Sequence, residues 1–123
     1  MDRADTRLSR RHDGTVIIHA RGDIDVVSAP RLRAVIADAV EQAGEAGIAV
    51  DLSGVVFIDS VGVAALVTAF KTARAAGLPF TVAAASPPAT RLLRMTGLAR
   101  LWGLADDPPA APTGPRTALT PVG

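Results

Sequence analysis

The feature that most constrains this chain is an apolar strand that runs straight into a helix. Residues 48–59, "IAVDLSGVVFID", form an almost unbroken apolar run. Lack of alternation points to burial on both faces or to a central place in a sheet. The run has a weak point at Ser53-Gly54, where a bend is expected. From Val61 to Ala76 the period changes to that of a helix, with Val63, Leu66, Val67 and Phe70 as its inner stripe and Gly77 and Pro79 as its stop. A central strand followed at once by a helix implies a crossover unit and a mostly parallel sheet.

The flanking segments supply the rest of such a fold. Residues 6–21 read as two short strands around Asp13-Gly14, a dipeptide suited to a tight hairpin. In "VSAPRLRAVIADAVEQAG" the residues Leu32, Val35, Ile36, Ala39, Val40 and Ala43 recur at helical spacing. Ser28 stands as N-cap, Pro30 suits the first turn and Gly44 ends the helix. "PFTVAAA" is a further strand. Ser86 and the following prolines open a third helix through Leu92, Leu93 and Met95, closed by Gly97. The expected order is β-β-α-β-α-β-α, an α/β domain over residues 6–104 with no internal repeat. After Trp102 the apolar period stops and prolines gather, so residues 105–123 are expected to form a Pro-rich, disordered tail.

Composition narrows function by exclusion. The 123 residues suit one domain, and there is no cysteine for a disulfide or thiolate chemistry. A formal net charge of +1 and only three Phe and one Trp argue against binding nucleic acid or an acidic membrane surface. Arg3, Arg7, Arg10 and Arg11 are diluted by Asp2, Asp5 and Asp13, as on a solvated strand. The charged start does not read as a signal peptide. The run Val61 to Phe70 is far shorter than the ~20 residues of a membrane span. A soluble, cytoplasmic protein is expected.

Asp59 and Ser60 are the polar exception, placed at the strand-to-helix turn on the carboxyl edge of the sheet. Ligands commonly sit there in α/β folds. Ser60 occupies the expected N-cap slot, Asp59 complements the helix dipole, and Gly62 relieves crowding. A nucleophilic serine would need a base, and His12 and His19 both lie in the first hairpin region. His19 reads as an ordinary strand side chain. Asp23, Asp25, Asp51 and Asp59 lack the late-strand lysine of a phospho-accepting aspartate site. No P-loop or dinucleotide-binding loop is present. An enzyme, a cofactor and a metal are therefore not expected. Ala65, Thr68, Ala69 and Thr72, on the expected outer face of the second helix, are small and weakly polar. With Ser60 and Val61 they suggest a docking surface for another protein.

Three stretches together carry a resemblance: "GDID…APRLRAVI", "VDLSGVVFIDSVGVAALVTAFKTARAAG" and "SPPATRLLRMTGL". They resemble the STAS domain, and within it the bacterial anti-sigma factor antagonists, over roughly residues 6–104. The core of the resemblance is Asp59-Ser60-Val61-Gly62 after "DLSGVVFI". It implies the STAS fold and a partner switch. Ser60 would be phosphorylated by an anti-sigma factor that is itself a serine kinase, and a PP2C-type phosphatase would reset it. The unphosphorylated form would capture the anti-sigma factor and free the sigma factor. Asp25 matches an acidic position beside the phospho-site, with Asp59, Val61 and Gly62 as the other neighbours. Val61 stands where a second serine is common, and the Pro-rich tail replaces a family helix. The alternative is a STAS-like interaction module of a sensory or transport complex, not phosphorylated, with Ser60 merely a cap.

Overall fold

The computed structural model describes residues 5–104. The expected tail at 105–123 lies outside the described residues. The hairpin forms as its turn chemistry demands: β1 (Asp5–Arg10) pairs antiparallel with β2 (Val16–Ile24). Its loop is held by the Asp13 carboxylate, which accepts from the Thr15 backbone N–H at 2.9 Å. From β2 the chain crosses through α1 (Ala29–Gln42) to β3 (Ile48–Ile58), and through α2 (Ser60–Ala75) to β4 (Phe80–Ala85). α3 (Pro87–Met95) and α4 (Leu98–Leu101) follow. The sheet order is β1-β2-β3-β4, with β2–β3 and β3–β4 parallel. The expected mixed sheet with an N-terminal hairpin and crossover helices is thus observed.

The period-2 pattern of β2 decides where the core sits. Val16, Ile18, Ala20 and Ile24 are buried, while Ile17, His19 and Asp23 are half-buried and Arg21 is exposed. The buried set joins Val50, Leu52 and Val82 of the sheet with Leu32, Ile36, Leu66 and Leu93 of the helices in one cluster. The helices therefore share one face of the sheet. The other face carries Arg7, Ser9, His19, Arg21 and Asp51.

Several local expectations need correcting. β3 is central only as far as Leu52, its last residue paired with β4. Beyond that point it keeps β2 alone, and Ser53, Gly54, Val56 and Phe57 are exposed. The expected bend is a break in the β2–β3 register between Asp51 and Gly54. A Cβ on Gly54 would lie 2.6 Å from the Arg21 Cβ, so a larger residue would push the strands apart. Ser28 is helical in its backbone and makes no side-chain cap. Its hydroxyl donates instead to the Asp23 carbonyl at 2.8 Å. Met95, the last residue of α3, is exposed.

The C-terminal end of the described chain is more ordered than its sequence suggests. α2 closes with paired bonds from the Gly77 N–H to the Arg74 carbonyl (2.9 Å) and the Leu78 N–H to the Ala73 carbonyl (2.8 Å). Gly77 at φ +76° allows this reversal. α4, which was not expected beyond the Gly97 stop, carries Trp102 into the core. Trp102 is 0% exposed and packs its ring 5.4 Å from Phe80 and 6.0 Å from Phe70 between centroids. Its carbonyl accepts from the Val82 N–H at 2.8 Å, so the segment is tied to β4. Trp102→Ala is expected to cost about 3–5 kcal/mol, the range for emptying a large aromatic site. Chemical denaturation of the purified variant checks this, and a loss below about 1 kcal/mol would show that the indole packs loosely.

Candidate functional site

β2 and β3 end side by side. Their last paired residues are Ile24 and Ile58, so Asp25 and Asp59 are the next residue on each neighbouring strand. α2 starts immediately after. Its first turn is pressed onto these strand ends, and Gly62 makes that possible. A Cβ on Gly62 would stand 2.7 Å from the Ile24 carbonyl oxygen and 2.8 Å from both Ile24 Cγ2 and Ile58 Cγ1. No side chain fits there without moving backbone, so the crowding expected at Gly62 is real. The Asp59 N–H reaches the same Ile24 carbonyl at 3.4 Å.

The expected cap assignment is overturned. Asp59, not Ser60, is the N-cap of α2, with extended backbone at φ −120° and ψ −170°. Its carboxylate accepts from the Val61 N–H at 3.0 Å and the Gly62 N–H at 3.1 Å. Aspartate and serine cap about equally well, so an Asp-Ser pair at a helix start is ambiguous in sequence. Ser60 becomes the first helical residue. It is exposed, and its hydroxyl makes no hydrogen bond among the described residues. The capping work and the accessible hydroxyl are thus divided between two adjacent side chains.

Asp25 is fixed within its own turn. Its carboxylate accepts from the N–H groups of Val27 (3.0 Å) and Ser28 (3.2 Å), and its own N–H donates to the Ser28 hydroxyl at 3.0 Å. Asp25 and Asp59 thereby place two acidic side chains at neighbouring strand ends, next to the start of α2. Between Asp25 and Ser28 the turn presents Val26 and Val27, 68% and 70% exposed. Val56, Phe57 and Val61 are also exposed near this end of the sheet. Val26 and Val27 are not among the site residues expected from the sequence. Their signal was two adjacent valines that fit neither the strand alternation before them nor the helical stripe after them.

The expected docking face of α2 divides. Ala65 and Ala69 are buried, because α1 packs across that side of the helix, whereas Thr68 and Thr72 are exposed. The four still meet one shared feature. With Arg33, Ile36 and Ala37 of α1 they line a groove of about 170 Å³ between the two helices. The alanines form its floor and the threonines its rim. Thr72 turns its hydroxyl back onto the Thr68 carbonyl at 2.9 Å. On the solvent side the helix presents Val61, Ala64, Thr68 and Lys71.

No helix among the described residues is long and apolar enough to cross a membrane, and no group of metal-ligating side chains is found among them. The STAS domain family model matches residues 7–111. An anti-sigma factor antagonist from Mycobacterium paratuberculosis is 31% identical, with a TM-score of 0.69 over 82% of this chain and 84% of that one. The unphosphorylated anti-sigma factor antagonist SpoIIAA superposes with a TM-score of 0.67 at 23% identity, over 80% of this chain and 84% of that one. The phosphorylated form of SpoIIAA, a Bacillus cell fate determinant, gives 0.58 at 22% identity over 80% and 87%. At these two identities the likeness is one of fold. With the family model spanning most of its length, the chain belongs to the STAS domain family.

Proposed function

We propose that this chain is an anti-sigma factor antagonist switched by phosphorylation of Ser60. The observation that supports it is the division of labour at the start of α2. Asp59 caps the helix, so the exposed Ser60 hydroxyl is left with no structural task among the described residues. An anti-sigma factor serine kinase is the proposed partner and modifier, and a PP2C-type phosphatase the proposed reset. The unmodified chain holds the anti-sigma factor and leaves the sigma factor free. It acts by binding rather than by turnover. Val26, Val27 and Val61 supply apolar contact around the serine, and the α1–α2 groove extends the same surface along Thr68 and Thr72.

The charge balance supports a switch that breaks the complex and spares the fold. Phosphorylation adds about −1.5 to −2 charges. A helix N-terminus ordinarily favours such a charge by about 0.3–1 kcal/mol. Here the Val61 and Gly62 N–H groups already serve the Asp59 carboxylate, and Asp25 sits on the neighbouring strand end. The local gain is therefore largely offset. Solvent at the exposed Ser60 screens the remainder, so the domain stays folded. In an interface the same charge loses its water, and like-charge contacts there cost several kcal/mol.

Incubation with candidate anti-sigma kinases and ATP, followed by mapping of the modified residue, tests the reading directly. Modification elsewhere, or none with a kinase that binds, would favour an unphosphorylated interaction module. Ser60→Ala is expected to leave the melting temperature nearly unchanged, within about 0.5 kcal/mol, because no cap is lost. It should bind the partner as the unmodified protein does. Ser60→Asp should bind at least tenfold more weakly, a difference of about 1.4 kcal/mol in calorimetric titration. Equal affinities for the two variants would remove charge at this position as the control.

Two neighbours carry their own expectations. Asp59→Ala removes the cap and should cost about 0.5–2 kcal/mol of stability, where Ser60→Ala costs little. Melting curves of the pair check this order. Gly62→Val should lift the first turn of α2 from Ile24 and Ile58, lowering both stability and partner affinity. Unchanged values for both would mean that the turn tolerates a side chain.

A further inference from the structure

The open face of the sheet holds a second constellation, separate from Ser60 and built across three strands. Ser9 on β1, His19 on β2 and Asp51 on β3 are joined in a line. Ser9 Oγ lies 2.8 Å from His19 Nε2, and His19 Nδ1 lies 3.1 Å from Asp51 Oδ2. The other carboxylate oxygen accepts from the Ser53 N–H at 2.9 Å and the Ser53 hydroxyl at 2.7 Å. His19, expected as an ordinary strand side chain, has no partner near it in the chain. The partners come instead from the strands on either side.

The chemistry of the line is directional. A carboxylate only accepts, so the bond at Nδ1 places the ring proton there. In the neutral ring Nε2 is then an acceptor aimed at the Ser9 hydroxyl. That is the order nucleophile, base and orienting acid. Burial acts to raise the Asp51 pKa, but the hydrogen bonds from Ser53 and His19 outweigh it and hold the carboxyl below its ordinary value. The carboxylate form that orients the ring is therefore favoured. Ser9 is exposed and His19 half-exposed, so a reagent can reach the pair.

Charge for a developing oxyanion has a nearby source. Arg7 is two residues before Ser9, on the same face of β1, and pairs in register with His19. It has no ion pair among the described residues, whereas Arg21 on that face is held by Asp5 at 3.3 Å. Ile17, directly opposite Ser9, offers a half-buried apolar neighbour for an acyl or aryl group.

We propose that Ser9 is an activated nucleophile that accepts acyl groups from small activated esters, with His19 as its base and Asp51 as the residue that positions the ring. Ser9 Oγ forms a bond to the acyl carbon and its proton passes to His19 Nε2. The ester C–O bond breaks, the leaving group departs as its anion, and the imidazolium returns the proton to solvent. The inference is independent of the partner switch, because Ser60 takes no part in it.

The test uses the full chain with p-nitrophenyl acetate, following release of p-nitrophenolate and mapping the acetyl group by mass spectrometry. The expected result is a burst approaching one acetyl per chain, on Ser9. Ser9→Ala should abolish it without moving the melting temperature. His19→Gln should slow acylation by about a hundredfold, the scale of a lost general base. Asp51→Asn should slow it also, and Asp51→Glu should recover part of the rate, which a merely structural role would not produce. Because His19 and Asp51 also bridge strands, Ser9→Ala decides the matter if either of their variants unfolds. A burst that survives Ser9→Ala, an acetyl group found on His19 or Lys71, or no release above buffer would each overturn the proposal.

Discussion

The contact of Gly62 with Ile24 and Ile58 is the constraint on which the rest of the site depends. Without a side chain at that position, the first turn of α2 can rest directly on the carboxyl ends of β2 and β3. That seat fixes where the helix axis begins. It places Asp59 to cap the turn and Ser60 to face outward, and it leaves α2 packed beside α1 with a shallow groove between them. It also brings the Asp25 turn next to the helix start, since Ile24 is both the contact and the residue before Asp25. A helix displaced by the width of one methyl group would alter all of these together, because packed interiors transmit such shifts rather than absorb them.

In the proposed switch, Asp59 serves stability and Ser60 serves signalling. Had one side chain both capped the helix and carried the modification, each phosphorylation event would have rearranged the hydrogen bonds of the first turn. With the cap on Asp59, the hydroxyl can change its chemistry while the two N–H bonds of the first turn persist. The nearby carboxylates add the complementary effect: extra negative charge finds little local relief and acts mainly on whatever lies opposite.

Much of the fold was legible in the sequence because its signals are local. Asp13-Gly14, the α1 stripe and the Gly77 stop each specify their own element, and Gly62 announced a tight turn. What escaped was decided by residues distant in the chain. Ala65 and Ala69 are indistinguishable from Thr68 and Thr72 as small residues until α1 is laid across two of them. Trp102 looked like the end of order, and only Phe70, Phe80 and Val82 reveal it as core. After Leu52 only Val55 and Ile58 of β3 stay buried, and Ser53, Gly54, Val56 and Phe57 are exposed where β4 no longer pairs, which no pattern within β3 records. His19 had partners on two other strands, so its isolation in sequence was misleading. The cap was misassigned for a different reason: two adjacent residues were chemically equivalent for the role, and backbone angles made the choice.

The bond from Val82 to Trp102 has a consequence for how the molecule behaves in a crowd. A sheet offers two lateral margins, and an unpaired margin is a template on which other chains can add strands. Along β4 a backbone donor is already consumed by the carbonyl of Trp102. At the opposite margin β1 is short and carries Arg7 and Arg10, which disfavour a flush strand-to-strand approach. Strand addition is thereby hindered at one position on one side and discouraged by charge on the other. Association is steered away from promiscuous stacking, toward surfaces whose shape and charge can discriminate one partner from another.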